Sequence, residues 1–379
     1  MTAKMNLRRE LRHGVLMHFG ADEAFVNRLL EYNERSPRLP LNAQKLEFPL
    51  DDEPYVALWR RYAQEVELEN SVECLSKYLV QFRFPLTSRM SAAKDYVAAT
   101  RYGAGFERGA SRPRCALPFV NPRAIRLWVH PTLAGSIPVW LASNREDFVT
   151  LLRALMYRNE PCEVGENIGA YIVSGFRNWH RYYSEPALND ANGFTDRFVI
   201  LSAGPYSGVP AGAVNMTVPE WNETSVRIRL EHECTHYFTR RLFGSMANNI
   251  GDEILADYRG IVSAYGAYRA DWALRFLGIR SDGGAGPGGR LDRYVSVGFP
   301  ESARACLRRL AARSVANLAT LDAEMPWTRD RDAAPFVIWS VATLSLEELA
   351  SDCGVQLINE NLQRLICARN GLANCAAVS

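Results

Sequence analysis

The segment Glu231-His232-Glu233-Cys234-Thr235-His236 decides how the rest of the chain is read, because it sets two imidazoles four residues apart with a carboxylate beside the first. On an α-helix, residues four apart differ by about 40° of rotation and roughly 6 Å of rise, so His232 and His236 project side by side from one face. Glu233 points roughly 100° away from His232, too far round to share a bound ion comfortably but near enough to reach a water on it. The flanks predict the helix itself. Thr224 or Asn222 caps its start after Pro219, Val226, Ile228, Leu230, Phe238 and Leu242 supply packing, and Gly244 offers a stop.

Two neutral imidazole nitrogens in this arrangement bind one zinc ion at about 2.0 to 2.1 Å. The plainer reading is a helix whose histidines happen to fall at this spacing, but with only six histidines in 379 residues an accidental HExxH is uncommon. A catalytic zinc takes three protein ligands and leaves one position for water. No histidine follows His236, and Thr239 and Leu242 stand where HExxHxxGxxH needs its glycine and third histidine, so carboxylates remain as candidates. The stretch from Asn248 to Tyr258 predicts the capped start of a second helix with acidic residues in its first turns, and Glu253 and Asp257 share one face of it. Favourable charge at a helix N-terminus is the plainer account of those acids.

Here the chain resembles the gluzincin branch of the zincin metallopeptidases, in which HExxH is followed by a helix bearing ExxxD. The resemblance is close over the two motif helices and holds elsewhere only in outline. It implies Glu253 as the third zinc ligand and Asp257 as the acceptor that orients a ligand histidine. A simple antiparallel hairpin would set His236 about 10 Å from its helix end and Glu253 only about 3 Å from its own, so Asp257 stands as a competitor for the third place.

The net charge of +2 gives no electrostatic case for nucleic acid or a membrane surface as partner. Basic pairs such as Arg8-Arg9 and Arg240-Arg241 read as solvated helix faces. The cysteines at 74, 115, 162, 234, 306, 353, 367 and 375 form no CxxC pair and no regular framework, and the opening MTAKMNLRRELRHG has no apolar signal core. Both features lead to an expected cytoplasmic location. Cys234 reads as a small buried hydrophobe rather than a nucleophile. No apolar run approaches the length of a membrane span.

The predicted fold is α+β: a zincin-like core, with a mixed sheet, a backing helix and the HExxH helix, plus a helical N-terminal region and a helical C-terminal subdomain. Residues 1–120 form the accessory region, with helices over 25–32 and 55–62 separated by a loop over 36–54. Residues 121–280 form the core, with strands over 125–129, 137–141, 168–173 and 198–202 and a helix over 144–158 capped by Asn144. Helix continues over 265–277, the glycine-rich run 281–290 marks a linker, and 291–379 form a C-terminal bundle with helix over 300–323 and 334–367. Neither GPYSG at 204–208 nor Gly103-Ala104-Gly105 has the spacing of a nucleophile elbow or a phosphate loop.

The expected activity is that of a zinc-dependent metallohydrolase, metallopeptidase-like, with Zn2+ on His232, His236 and Glu253. A zinc-bound water is the nucleophile, Glu233 the general base, and the substrate a peptide or small-molecule amide. Zinc hydrolysis gains from a further electrophile, for which Tyr206 and His180 are the first candidates, with Tyr258 and Arg259 behind them. For each of these four, ordinary packing is the competing account. Two other classes stand beside hydrolysis: cyclisation or elimination on a small metabolite at the same site, and a non-catalytic zincin-like binding protein.

Overall fold

The structure, a computed structural model, describes residues 2–34, 46–69, 72–105, 114–189, 194–244, 249–295 and 297–369. Four helices come before or between the first strands: α1 (Thr2–His18), α2 (Glu23–Tyr32), α3 (Val56–Glu69) and α4 (Lys94–Tyr102). Strands β1 (Arg126–Thr132) and β2 (Gly135–Ala142) then lead through α5 (Arg145–Leu155) to β3 (Ala170–Arg177), α6 (Trp179–Ser184) and β4 (Thr195–Ser202). The remainder is helical: α7 (Val218–Phe243), α8 (Ile250–Tyr265), α9 (Ala270–Leu277), α10 (Leu291–Tyr294), α11 (Glu301–Glu324), α12 (Ala334–Ala342), α13 (Leu346–Ala350) and α14 (Gly354–Arg369). The class is mixed α+β, and none of the described helices is long and apolar enough to cross a membrane.

The chain divides into two compact units, residues 49–205 and residues 1–48 with 206–379. Neither boundary falls at the expected 120/121 or 280/291 divisions. The first 48 residues belong with the HExxH helix because α1 is fastened to α13. Arg8 forks onto Glu348 at 2.5 and 2.6 Å, and Arg12 reaches the fully buried Glu347 at 3.4 Å. Arg8 therefore does not sit on a solvated helix face. The run 281–290 is not a free linker either: Ile279 bridges to Ala285, and a Cβ on Gly278 would fall 1.9 Å from the carbonyl oxygen of Gly288, so glycine alone permits that backbone crossing. Among the described residues, Cys115, Cys162, Cys234, Cys306 and Cys353 are free thiols, and Cys375 lies outside the described residues.

The unit over 49–205 carries a four-stranded sheet in the order β1-β2-β4-β3, with β1 and β3 antiparallel to their neighbours and β2 parallel to β4. The apolar runs of β2 and β4 suit central strands buried on both faces. Trp59 of α3, Trp140 of β2, Phe148 of α5 and Phe198 of β4 share its core. The Trp59 indole donates to Asp196 at 2.8 Å, and Asp196 also pairs with Arg181 at 3.3 Å, all three side chains buried.

In the other unit, α7 begins earlier than the sequence led us to expect. Thr217 and Glu220 close a capping box, which leaves Pro219 inside the first turn, where its missing N–H costs nothing. Gly244 ends the helix in the left-handed conformation, as expected, and Asn249 caps α8 by accepting the Asp252 amide at 3.2 Å. The two helices come closest at Gly260, where a Cβ would lie 2.8 Å from the carbonyl oxygen of Ile228. The expected continuous helix over 265–277 breaks at Gly266, left-handed at φ 85°, before α9.

Gly260→Ala is therefore expected to push α7 and α8 apart at an overpacked contact and to destabilise this unit by about 1 to 3 kcal/mol. Urea unfolding followed by helical circular dichroism measures it, and an unchanged midpoint would refute the close approach.

Candidate metal centre

Along α7, Ile228, His232 and His236 recur every four residues, and along α8 Glu253, Asp257 and Gly260 share a stripe of similar period. With Gly260 seated on Ile228, antiparallel packing brings Asp257 to His232 and Glu253 to His236. The distances bear this out. His232 Nδ1 lies 3.0 Å from Asp257 Oδ1, and His236 Nε2 lies 3.2 Å from Glu253 Oε1. The axial offset that set Asp257 up as a rival ligand, about 6 Å on helix rise, does not keep Glu253 from the histidines.

His232 Nε2, His236 Nε2 and the Glu253 carboxylate come together between the two helices. The two nitrogens are 3.1 Å apart, Glu253 Oε2 stands 3.4 Å from the first and Oε1 3.2 Å from the second, so each imidazole faces its own carboxylate oxygen. Ligands held tetrahedrally about 2.05 Å from a zinc ion stand about 3.3 Å from one another, and each of these pairwise contacts is close to that spacing. His232, His236 and Glu253 are 6 %, 7 % and 2 % exposed. Together these three buried residues could hold a metal ion.

Asp257 belongs to the opposite side of His232. It faces Nδ1, accepts a hydrogen bond from the Tyr206 hydroxyl at 2.7 Å, and pairs with the Arg290 guanidinium. Tyr206, expected as an electrophile, lies on that same side, 2.9 Å from His232 Nδ1 and 5 % exposed. From there it can orient the ring but cannot reach a substrate on the Nε2 side. Arg290 also contacts Glu253 Oε2 at 3.3 Å and Ser207 Oγ at 2.5 Å, with its cation 5.2 Å from the centre of the Tyr206 ring. Two carboxylates, Glu253 and Asp257, thus share one guanidinium, leaving one negative charge unmatched by it.

The electrostatics agree. Burial alone would lower the His232 pKa, but Glu253 and Asp257 raise it to about 10, so without a metal a proton takes the cation's place. Burial pushes the Glu253 carboxyl up, and the two histidines more than reverse it, holding the group well below its usual range. Glu233 is displaced in the other direction, raised chiefly by burial. Glu233 and Tyr294 are half-buried and so mark the open side of the centre. The Tyr294 hydroxyl hydrogen-bonds Glu253 and feels the charge of Glu233, and its carbonyl accepts from the Tyr32 hydroxyl at 2.6 Å. Neither Arg290 nor Tyr294 carries any signal in sequence spacing.

A family model described as a family of unknown function, DUF7005, matches residues 14–188 and 183–353. The chain belongs to the DUF7005 family. No curated protein and no solved structure matches it. The second matched segment contains every residue of the DUF7005 centre described above.

The remaining candidates lie elsewhere. Tyr258 is fully buried with its hydroxyl 3.4 Å from Thr328, and Arg259 is 7 % exposed. Cys234 is 5 % exposed and burial pushes its thiol pKa well up, as suits a packing role. His180 belongs to the sheet-bearing unit, where Nδ1 meets the Tyr62 hydroxyl at 2.7 Å and the ring packs on Tyr62 and Tyr78. Burial, helped by Arg61, lowers its pKa to about 4.

Two outcomes follow. Asp257→Ala frees the His232 ring and is expected to weaken zinc binding by about 10- to 100-fold in a chelator competition; equal affinity would remove Asp257 from this role. For His180, the folded state binds its proton only near pH 4 while an unfolded imidazole does so near 6.5. The stability it contributes as a neutral ring is present above pH 6.5 and lost as pH falls toward 4. The difference in unfolding free energy between wild type and His180→Gln should shrink across that window, and a constant difference would contradict the depressed pKa.

Proposed function

We propose that the chain is a zinc-dependent hydrolase of the gluzincin kind that cleaves an amide bond in a peptide or small molecule. The observation that carries the reading is the buried cluster of His232 Nε2, His236 Nε2 and the Glu253 carboxylate, with pairwise contacts of 3.1 to 3.4 Å and with Glu233 beside it on the open side. His232, His236 and Glu253 would hold the ion. A zinc bound there would supply an acidified water and polarise a carbonyl.

The chain's own residues do the rest. Glu233, with a pKa raised by burial, takes a proton from the attacking water and returns it to the leaving nitrogen. Asp257 and Tyr206 keep Nδ1 of His232 engaged, so that Nε2 presents its lone pair. Arg290 holds Glu253 and Asp257 apart and offsets one of their charges. Tyr294, on the open side, takes over the part first considered for Tyr206: its hydroxyl, hydrogen-bonded to Glu253 in this structure, would turn from that carboxylate to donate to the oxygen on which charge develops. The expected cytoplasmic location belongs to this proposal too, supported by the free thiols of Cys115, Cys162, Cys234, Cys306 and Cys353.

Metal analysis of purified protein should find one equivalent of zinc in the wild type and in Glu233→Gln, and none in His232→Ala. Against a library of peptide and small amide substrates, Glu233→Gln should lose about 10²- to 10⁴-fold in turnover. Zinc retained by His232→Ala, or a Glu233→Gln variant as active as wild type, would overturn the reading.

A further inference from the structure

The sheet-bearing unit contains a cleft of about 610 Å3, in the range that holds small organic ligands. Its floor is the run Val173–Arg177 of β3, an edge strand of the sheet, and its walls come from α4 and from the end of α5. Three guanidinium groups line it, Arg101, Arg158 and Arg177. All three residues are exposed, and none has a hydrogen-bond or ion-pair partner among the described residues. Glu160, two residues from Arg158, is already engaged by the amides of Arg89 and Ser91, both at 2.8 Å.

Two independent features show that the cleft is built rather than incidental. Arg158 and Asn159 are successive non-glycine residues in the left-handed conformation, at φ 55° and 60°, a strained pair that local packing must enforce. The enforcement is visible: the buried Asn159 amide donates to the carbonyls of Gln81 at 3.0 Å and Phe84 at 2.9 Å, which fixes the turn that presents Arg158. Gln81 also lines the cleft, is 8 % exposed, and has a side-chain carbonyl oxygen with no donor among the described residues. A buried amide oxygen without a partner costs free energy unless something supplies the bond, and Gln81 is among the residues that line the cleft.

We propose that this cleft is a binding site for a small polyanion, an organic phosphate or a polycarboxylate bearing at least two negative charges and a hydrogen-bond donor. Guanidinium groups match both anions with paired N–H donors, and three of them around one cavity leave a positive charge that only an anion offsets. The site is separate from the metal centre, since every lining residue lies in the unit over 49–205.

Isothermal titration of the full chain with pyrophosphate and, separately, with citrate tests it. At least one should bind saturably, with an affinity that falls as salt is raised. Arg158→Gln and Arg177→Gln should each weaken binding by about tenfold, the loss of one charge-assisted pair. Binding to His232→Ala should equal that of wild type, because the metal centre takes no part. A preference for pyrophosphate assigns a phosphate ligand, and a preference for citrate a carboxylate. Absence of saturable binding by both anions, unaltered affinity in both arginine variants, or binding that disappears with His232→Ala would each overturn the proposal. The exposed arginines leave the fold intact on substitution, which an unchanged melting temperature verifies.

Discussion

The contact between Gly260 and the backbone of Ile228 governs the geometry of the candidate metal centre. Without a Cβ at Gly260, α8 settles onto α7 closely enough that the next two positions on each stripe meet as ion-pairing or ligating distances rather than as apolar packing. A larger interaxial distance, the usual 8 to 10 Å at contacts with bulkier side chains, would leave Glu253 and Asp257 short of the histidines. Helix packing thus sets the donor cluster, and the capping boxes and glycine stops set where each helix begins and ends.

That packing has an electrostatic cost. Glu233, Glu253 and Asp257 are gathered in a space where water is scarce, and carboxylates so placed repel one another and resist ionisation. Arg290 offsets part of this from a chain segment far from both helices, and protonation of His232 or binding of a divalent ion offsets the remainder. The centre is therefore built to hold positive charge.

The two units divide the work differently from what the order of elements suggests. The sheet and the HExxH helix, neighbours in sequence, fall in separate units, while α1 and α2 join the helical unit from the far end of the chain through Arg8, Arg12 and Tyr32. Long-range ion pairs of this kind leave no periodic trace. Length and composition could not have indicated which half of the molecule the first 48 residues join.

Sequence alone was enough for the local elements. The HExxH spacing, the Asn144 and Asn249 caps, the stop at Gly244 and the four strands are written in patterns a few residues long, because backbone hydrogen bonding and side-chain period act over that range. Tertiary structure decided what depends on chain path. Glu253 rather than Asp257 faces the Nε2 atoms of both histidines, Tyr206 sits behind His232, Arg290 ends a glycine-rich run that reads as a linker, and Tyr294 closes the short helix α10 that follows it. Such choices rest on helix crossing and on contacts across tens of residues, and no spacing rule along the chain encodes them.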